Sequence, residues 1–277
     1  MRLGLIAGGG ELPKYVISAA TNDALDVSII ALDGFADQAD FDGAQVLGIA
    51  QYGAMLKALK RAQVSHICFA GTVKRPDFKR LKPDFKGLVN MPGAIKAAKQ
   101  GDDALLRYIL TLFEKEGFKI IAPQDICKSL LLPEGILGGV KLDSSHKVDV
   151  KLACETAVKI GALDIGQGAV VCQGLVLAVE AQEGTDNMLM RVASLPKAIT
   201  GMPSARKGVL AKMLKPTQDT RVDLPTIGPE TIRLAGEAGL AGIVAEAEKC
   251  FVIEREVVIA QADAAGIFIA GLPPARP

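Results

Sequence analysis

Short apolar runs alternate with helical segments through the first half of the chain. Residues 3–7 and 27–32 are apolar runs of strand length, and residues 12–20 between them have the spacing of a helix. Strands that alternate with helices predict a parallel sheet covered on both faces, with ligands at the carboxyl ends of its strands. Further elements continue this pattern at residues 46–49, 54–62, 67–70, 102–116 and 118–122.

The second half of the chain mixes strands and helices without this regular alternation. Prolines and glycines cluster near residues 133–139 and the periodicity fades, so we predict a domain junction there. Beyond it, two apolar strands are separated by Gln173 and Gly174, which favour a hairpin turn. The predicted fold is therefore α/β, with an N-terminal Rossmann-like parallel sheet with helices on both faces (residues 1–135) and a C-terminal mixed α/β domain (residues 140–277).

The composition disfavours several classes of protein. Hydrophobic residues make up 49% of the 277 residues, which is enough for a large core in two domains. The formal net charge of +1, the low aromatic content and the absence of Trp disfavour nucleic acid as a partner. Five cysteines without a Cys-x-x-Cys pair are typical of core residues in a reducing cytosol.

The composition also bears on metals and membranes. With only two histidines a zinc site is improbable, so any metal should be a hard cation held by oxygen atoms. No charge-free apolar stretch is long enough to span a bilayer, and a strand at the N-terminus leaves no room for a signal peptide. We therefore expect a soluble, cytoplasmic protein.

A glycine-rich turn follows the first predicted strand. Gly8-Gly9-Gly10 lies just before a helix that begins near Leu12, and such glycines let backbone N–H groups approach a phosphate. Pro13 replaces the third glycine of the dinucleotide fingerprint, and no P-loop Gly-Lys-Ser/Thr is present. A nucleotide diphosphate is favoured over intact NAD, although Asp33 after the second strand could still hold a ribose. A tight turn without a ligand is the alternative.

A second turn, Gly71-Thr72-Val73-Lys74-Arg75, follows the strand predicted at residues 67–70. Its two cations are good phosphate partners at a strand end. Basic residues interleaved with Phe78 and Phe85 come next, and they suit either an anionic membrane surface or an ordinary solvated loop. These basic residues are Lys79, Arg80, Lys82 and Lys86.

Two aspartates follow Gly101 at the start of a predicted helix. Asp102 is a natural N-cap, and Asp103 is spaced i,i+4 from Arg107, so an ordinary surface pair is one alternative. Only their expected position near the strand ends makes the two aspartates ligand candidates.

An acidic cluster lies at the end of a strand in the second half. Glu180 interrupts an apolar run, and Glu183 and Asp186 follow it. A buried acid is costly unless it is paired or binds a metal. The alternatives are that Glu180 faces water on a one-sided sheet and that Asp186 caps a helix.

A proline-flanked segment, residues 215–230, combines rigidity with opposed charges. Carboxylates and cations held rigidly together suit metal-assisted phosphoryl chemistry, whereas a solvated loop with local charge pairs is the plain alternative. If this segment and the acidic cluster converge, their carboxylates could share a Mg²⁺ that two cations balance. The carboxylates are Glu180, Glu183, Asp186, Asp219 and Asp223, and the cations are Lys215 and Arg221.

Together these motifs resemble the LpxI-type UDP-2,3-diacylglucosamine pyrophosphatases over essentially the whole chain. The resemblance implies Mg²⁺-dependent hydrolysis of UDP-2,3-diacylglucosamine to lipid X and UMP, with water attacking the β-phosphorus. It also implies a step of lipid A biosynthesis at the cytoplasmic face of the inner membrane, where the protein would be peripheral, and a lipid held between the two domains. The stretches that carry the resemblance are residues 5–13, 71–76, 101–103, 180–186, 215–219 and 223–228.

The resemblance assigns roles to residues of this chain. Asp223 is implied as the essential carboxylate, as metal ligand or water activator, and Asp219 comes next. Lys215 and Arg221 would stabilise the transferring phosphoryl group. Metal ligands are implied at Asp223, Asp186, Glu183 and Glu180. Substrate contacts are implied at Gly8, Gly9, Gly10, Leu12, Gly71, Thr72, Val73, Lys74, Arg75, Asp102, Asp103, Thr185 and Gln218.

Two other functions remain compatible with the residues. The glycine turn and Asp33 suit an NAD-dependent oxidoreductase, although the missing third glycine and the scarcity of histidine oppose it. A non-enzymatic nucleotide-sugar or lipid-binding protein would need the acids only for folding, and its Asp223→Ala variant would behave as the wild type.

Overall fold

The computed structural model describes residues 2–273, which form two compact units. The first unit holds the described residues up to Lys128 together with a short segment from far along the chain, Asp219–Asp223. The second unit holds Ser129–Gln218 and the described residues from Leu224 onward. The units divide a few residues before the predicted junction, and the transfer of Asp219–Asp223 to the first unit is a feature that the sequence pattern did not predict.

The first unit is built on a five-stranded, fully parallel sheet with the order β3-β2-β1-β4-β5. This is the strand order of a Rossmann-like sheet, in which the order reverses between β1 and β4 and opens a crevice there. The predicted N-terminal fold is therefore confirmed. The strands are β1 (Arg2–Ala7), β2 (Asp26–Leu32), β3 (Gln45–Leu47), β4 (His66–Ala70) and β5 (Lys119–Ile120).

Helices connect these strands and bury an apolar core on the sheet. Phe113 is central to it, with edge-on contacts to Tyr52 at 5.2 Å and Phe69 at 5.4 Å between ring centres. The helices are α1 (Leu12–Asn22), α2 (Tyr52–Arg61), α3 (Phe85–Ala98), α4 (Asp102–Lys115) and α5 (Pro123–Ile126).

The helix α3 begins at Phe85, at the end of the basic segment for which the sequence left a membrane surface and a solvated loop as alternatives. Asp84 caps its N-terminus, because the carboxylate accepts a hydrogen bond of 2.8 Å from the backbone N–H of Gly87. The same carboxylate accepts from the backbone N–H of Ala54, in α2, at 2.8 Å. Pro92 lies within the helix, and this residue together with two glycines weakens the local helical signal in the sequence.

The second unit contains a six-stranded mixed sheet with the order β6-β13-β11-β9-β7-β8. Its centre, β13-β11-β9, is parallel, and the flanking strands are antiparallel. Two short strands, β10 (Thr226–Ile227) and β12 (Phe251–Val252), form a separate parallel pair. The strands of the large sheet are β6 (Gly135–Leu137), β7 (Gly168–Cys172), β8 (Leu175–Val179), β9 (Val209–Lys212), β11 (Gly242–Glu246) and β13 (Phe268–Leu272).

The hairpin predicted at Gln173 and Gly174 is confirmed. Both residues have positive φ, 51° and 78°, as the tight turn between antiparallel strands requires. The Asp149 carboxylate accepts hydrogen bonds from both turn N–H groups, at 2.9 Å and 2.8 Å. The helices of this unit are α6 (Lys147–Ala162), α7 (Gly184–Ala193), α8 (Pro229–Glu237) and α9 (Arg255–Ala265).

Candidate functional site

Two glycine-containing loops join at the crevice between β1 and β4. The N–H of Gly8 donates to Ala70 O at 2.8 Å, and Gly9 and Thr72 exchange backbone hydrogen bonds of 2.9 Å and 2.8 Å. Since these N–H groups are already used, the expectation that Gly8 and Gly9 present them to a phosphate does not hold. Close approach explains these glycines instead, because a Cβ at Gly8 would lie 2.7 Å from Thr72 O.

The open part of the first loop begins at Gly10. This residue has a φ of +85°, and a Cβ there would meet no atom within 4 Å. It is exposed and directly precedes α1, whose first residue is Leu12. The predicted approach of a ligand to a helix N-terminus is therefore compatible with Gly10 to Leu12.

The second loop exposes Thr72, Val73 and Lys74 and anchors Arg75. The Arg75 guanidinium donates to Asp102 Oδ1 at 3.1 Å and to Ala98 O at 2.6 Å, so it links the end of α3 to the start of α4. The predicted N-cap role of Asp102 is wrong. Gly101 occupies the N-cap with φ of 127°, and Asp102 is the first residue of the helix.

Asp103 is the more buried of the two aspartates. It lies in the first turn of α4 with only 4% of its surface exposed. A buried acid at the start of a helix benefits from the positive end of the helix dipole.

The segment Asp219–Asp223 is tied to α4 and α5 of the first unit. Arg221 grips Asp219 with two hydrogen bonds, 2.9 Å from Nε to Oδ1 and 2.7 Å from Nη2 to Oδ2, and reaches Glu114 Oε1 at 2.7 Å. Gln124 Nε2 donates to Thr220 O at 2.6 Å. The backbone N–H of Val222 donates to Asp219 O at 3.1 Å and closes the turn. This hydrogen bond holds the backbone just before Asp223 in place.

These contacts shift the pKa values of Asp219 and Arg221. The pKa of Asp219 is lowered, chiefly because the Arg221 side chain donates to the ionised carboxylate, with a further contribution from the charge of Arg107. The same carboxylate, followed by Glu114, raises the pKa of Arg221. Asp219 is therefore a carboxylate at neutral pH, and Arg221 is a cation committed to two acids.

A buried polar chain in the second unit links three elements. Glu180 Oε1 accepts from Thr185 Oγ1 at 3.0 Å, and Lys212 Nζ donates to Thr185 Oγ1 at 2.9 Å and to Thr226 O at 2.7 Å. Only 7% of Glu180 and 5% of Lys212 are exposed, so the alternative that Glu180 faces water is wrong. Glu180 Oε2 is buried and has no hydrogen-bond partner among the residues that the structure describes.

Lys212 belongs to this hydrogen-bonded network, and the sequence analysis did not select it. It ends an otherwise apolar strand, β9, and a charged residue at the end of such a strand was the available signal. The Lys212 ammonium donates to Thr185, and Thr185 in turn donates to Glu180. The protein itself therefore supplies a cation close to the buried Glu180 carboxylate. A Mg²⁺ at Glu180 would therefore face a neighbouring positive charge.

Two further acids of the predicted metal set, Glu183 and Asp186, lie at the start of α7. Glu183 Oε1 pairs with Arg191 Nη2 at 2.9 Å. Hydrogen bonds, first from its own backbone N–H and then from Arg191, lower the pKa of Glu183 against the opposing effect of burial. Glu183 occupies the N-cap of α7, so the alternative that Asp186 caps the helix is wrong. Asp186 is instead an exposed acid in the first turn, where its charge is favourable.

Lys215 and Gln218 form a compact corner in the second unit. Lys215 Nζ pairs with Asp164 Oδ1 at 2.8 Å, and both side chains are largely buried. The backbone N–H of Lys215 donates to Gln218 Oε1 at 3.0 Å. Asp164, which the sequence analysis did not single out, has a left-handed φ of 54°.

The structure does not assemble the four predicted metal ligands into one cage. Among residues 2–273 no group of three or more His, Cys, Asp or Glu side chains is placed to hold a metal ion. Glu180, Glu183 and Asp186 belong to the second unit, whereas Asp219 and Asp223 belong to the first. However, Mg²⁺ is usually held by one or two carboxylates together with substrate phosphates, and the donor chemistry of Asp223 fits that mode.

The strand orders and the paired glycine loops define a two-unit α/β protein whose first unit is Rossmann-like. Within the described part of the chain, no helix is both long and apolar enough to cross a membrane.

Comparisons with known proteins then identify the family. Residues 2–130 match the family described as the LpxI N-terminal domain, and residues 133–270 match the LpxI C-terminal domain. The chain is 52% identical over 275 residues to the UDP-2,3-diacylglucosamine pyrophosphatase LpxI of Caulobacter vibrioides, covering 99% of this chain and 98% of that protein. The chain therefore belongs to the LpxI family, and the predicted resemblance is confirmed.

A solved structure of another class is also similar over most of its length. It is the UDP-glucose 4-epimerase of Thermus thermophilus in complex with NAD, with a TM-score of 0.28 and 12% identity over 99% of this chain and 87% of that chain. A score this low supports no argument about fold or function.

Proposed function

We propose that this protein hydrolyses UDP-2,3-diacylglucosamine to lipid X and UMP. The observation that carries the proposal is the 52% identity, over nearly the full length of both chains, to a relative named for this pyrophosphatase activity. It favours this enzyme over an NAD-dependent oxidoreductase and over a non-enzymatic binding protein. The substrate carries two acyl chains, so the reaction belongs at a membrane, which we take to be the cytoplasmic face of the inner membrane.

The reaction proposed is attack by water on the β-phosphorus. The new P–O bond forms to water oxygen, the bond from the β-phosphorus to the bridging oxygen breaks, and UMP leaves with that oxygen. Such a displacement depends mostly on positioning and on stabilisation of charge, both of which a rigid, charged segment supplies.

The two loops at the crevice are proposed to bind the diphosphate. Gly10 and Leu12 lie open at the start of α1, and Lys74 is an exposed cation of the neighbouring loop. Arg75 serves differently, because its guanidinium holds Asp102 and Ala98 O and so fixes that loop against α4. Lys74 is therefore our candidate for direct contact with phosphate oxygen.

Asp223 is proposed as the essential carboxylate of the segment Asp219–Asp223. Asp219 is gripped by Arg221, which suits a positioning role, and the turn that these two residues build orients Asp223. Asp223 would accept the proton of the attacking water or help to hold Mg²⁺. When bound, that ion would neutralise charge on the diphosphate.

The roles of the predicted site residues in the second unit are proposed separately. Lys215, Thr185 and Gln218 are proposed to assist substrate binding or charge stabilisation. Glu180, Glu183 and Asp186 are proposed as metal ligands only if Mg²⁺ replaces the partners that Glu180 and Glu183 hold in the structure. Single Ala or Gln variants, each assayed for kcat, KM and Mg²⁺ requirement, test them one by one.

The decisive experiment is hydrolysis in ¹⁸O-labelled water, followed by mass spectrometry of both products. We expect the label in the phosphate of lipid X, activity that EDTA removes and Mg²⁺ restores, and a loss of at least ~10²-fold in kcat for Asp223→Ala. Asp42→Ala, at an exposed acid of the same unit, is the control and should keep wild-type activity. Label in UMP would refute the site of attack, and full activity of a folded Asp223→Ala would refute its role.

A further inference from the structure

The helix α3 carries its large apolar residues outward. Phe85, Leu88 and Val89 are 81%, 60% and 63% exposed, and the exposed Pro92 continues the same row. These positions are spaced i, i+3, i+4 and i+7, so they form one stripe along the helix. A soluble amphipathic helix normally buries such a stripe against its own core.

Small residues occupy the opposite, inward side of α3. Gly87 lies so close to Ala50 O that a Cβ would overlap it, and Gly93 is equally close to the hydroxyl of Tyr108. Ala97 and Ala98 are buried. The helix is therefore seated tightly by its smallest side chains, while its largest ones are left in solvent. Rotation of the helix to bury the stripe would push Phe85 into space that accepts only glycine.

The segment that contains the stripe is rich in basic residues, three of which are paired with acids: Arg75 with Asp102, Arg80 with Asp77 and Lys86 with Glu116. Residues 74–99 contain eight basic and two acidic side chains, whereas the whole chain has a formal net charge of +1. One of the two acids, Asp84, is occupied in capping α3, and α3 itself contains no Asp or Glu. Exposed cations lie before the stripe and after it, namely Lys79, Arg80, Lys82, Lys96 and Lys99.

We propose that the exposed face of α3, formed by Phe85, Leu88, Val89 and Pro92, docks this protein on an anionic lipid bilayer. The apolar side chains would enter the boundary between headgroups and acyl chains, and the cations around them would contact lipid phosphates. The helix would lie in the plane of the surface, since no described helix is long and apolar enough to cross a membrane. This inference rests on the proposed function only in that a diacylated substrate resides in such a bilayer.

The charge pattern selects lipid over a second copy of this chain. A symmetric contact would bring two copies of the same basic segment together and cost energy, whereas an anionic bilayer complements the segment at both ends of the stripe. Phe85, at the N-terminal end of the helix, is a residue type found on the apolar face of helices that lie in a membrane interface.

The test is co-sedimentation of the full chain with vesicles, without substrate. Vesicles of phosphatidylglycerol and phosphatidylethanolamine are compared with vesicles of phosphatidylcholine alone. We expect preferential binding to the anionic vesicles and a fall of at least ~10-fold in partition coefficient for the triple variant Phe85→Gln, Leu88→Gln, Val89→Gln. The matched control is Val148→Gln with Leu163→Gln, two exposed apolar residues of the second unit, and it should bind as the wild type.

The outcomes are distinct from those of the proposed function. The triple variant should keep its activity on detergent-dispersed UDP-2,3-diacylglucosamine, since its substitutions lie outside the proposed site. The proposed docking surface would be wrong if the wild-type protein did not bind anionic vesicles. It would also be wrong if a folded triple variant bound them as well as the wild type does. A dimer that the triple variant alone dissociates, as measured by analytical ultracentrifugation, would contradict it too. Vesicle binding that persists in a protein without hydrolytic activity would sink the proposed function and leave the surface standing.

Discussion

Arg221 and Asp219, two residues apart, are joined by a bidentate pair of hydrogen bonds at 2.9 Å and 2.7 Å. The same guanidinium reaches Glu114 on α4, so a turn from the C-terminal half of the chain is fastened to the N-terminal unit. The planar fork of arginine suits this contact, and lysine, a point charge, would not reproduce it.

Arg221→Lys tests whether this grip positions the turn. We expect kcat to fall by roughly tenfold while the free energy of unfolding falls by only about 1 kcal/mol, because the pair is partly exposed. Steady-state kinetics and urea denaturation measure the two effects. Glu114→Gln removes the negative charge of one partner and keeps the bidentate pair with Asp219, so it should be milder. Equal losses in the two variants would contradict the positioning role.

The pH dependence of stability should report on Asp219. Its pKa is lowered in the folded protein, chiefly by the hydrogen bond from Arg221. The stabilisation is therefore complete above the ordinary Asp pKa of about 3.9 and is lost as the pH falls through the lowered value. Wild type should exceed Asp219→Asn in free energy of unfolding at neutral pH, and the difference should shrink as the pH falls through the lowered pKa of Asp219. Urea denaturation across this range measures it, and a difference that grows on acidification would show the opposite sign of coupling.

Lys212→Met should destabilise the second unit. It removes the hydrogen bonds that Lys212 donates to the Thr185 hydroxyl and to Thr226 O, together with the positive charge of this buried network, at a cost of about 3 kcal/mol. The double variant with Glu180→Gln should cost less than the sum of the single variants, because the two residues share one network. Lys207→Met, at an exposed lysine, is the control for denaturant midpoints. Strictly additive losses of stability would show that Lys212 and Glu180 act independently.

Gly8→Ala should disturb both loops at the crevice. A Cβ there lies 2.7 Å from Thr72 O and 3.0 Å from the carbonyl carbon of Gly71, so the loops must separate at a cost of about 1–3 kcal/mol. KM for the UDP-sugar should rise together with the loss of thermal stability. Gly48→Ala meets Gln51 only at ordinary contact distance and should be nearly silent. A silent Gly8→Ala would show that the loop pairing tolerates expansion.

The fold class could be predicted because the apolar runs of the first half alternate with helices at regular intervals. That alternation requires a parallel sheet, and both the sheet and the hairpin at Gln173 and Gly174 are found. The helix α3 could not be predicted in this way. Its apolar residues face solvent and its glycines face inward, so the periodicity that signals a buried helical face is inverted.

The sequence offered candidate site residues, but it did not indicate which contacts those residues make. Glu180 was recognised as costly in a strand, but its partners Thr185 and Lys212 come from separate elements that only the folded sheet brings together. Likewise, no local pattern shows that Arg221 would choose Glu114, more than a hundred residues earlier. Long-range pairing of this kind is set by packing and leaves no periodic signal in a single sequence.

The placement of Asp219–Asp223 has a consequence for attempts to divide the protein. The chain passes from one unit to the other at three points, after Lys128, after Gln218 and after Asp223. A gene cut at codon 128 would therefore produce an N-terminal fragment deprived of five of its own residues, among them both partners of the Asp219–Arg221 pair. If the two halves were expressed separately, the C-terminal half would have to supply Asp219–Asp223 to the N-terminal half before the first unit was complete.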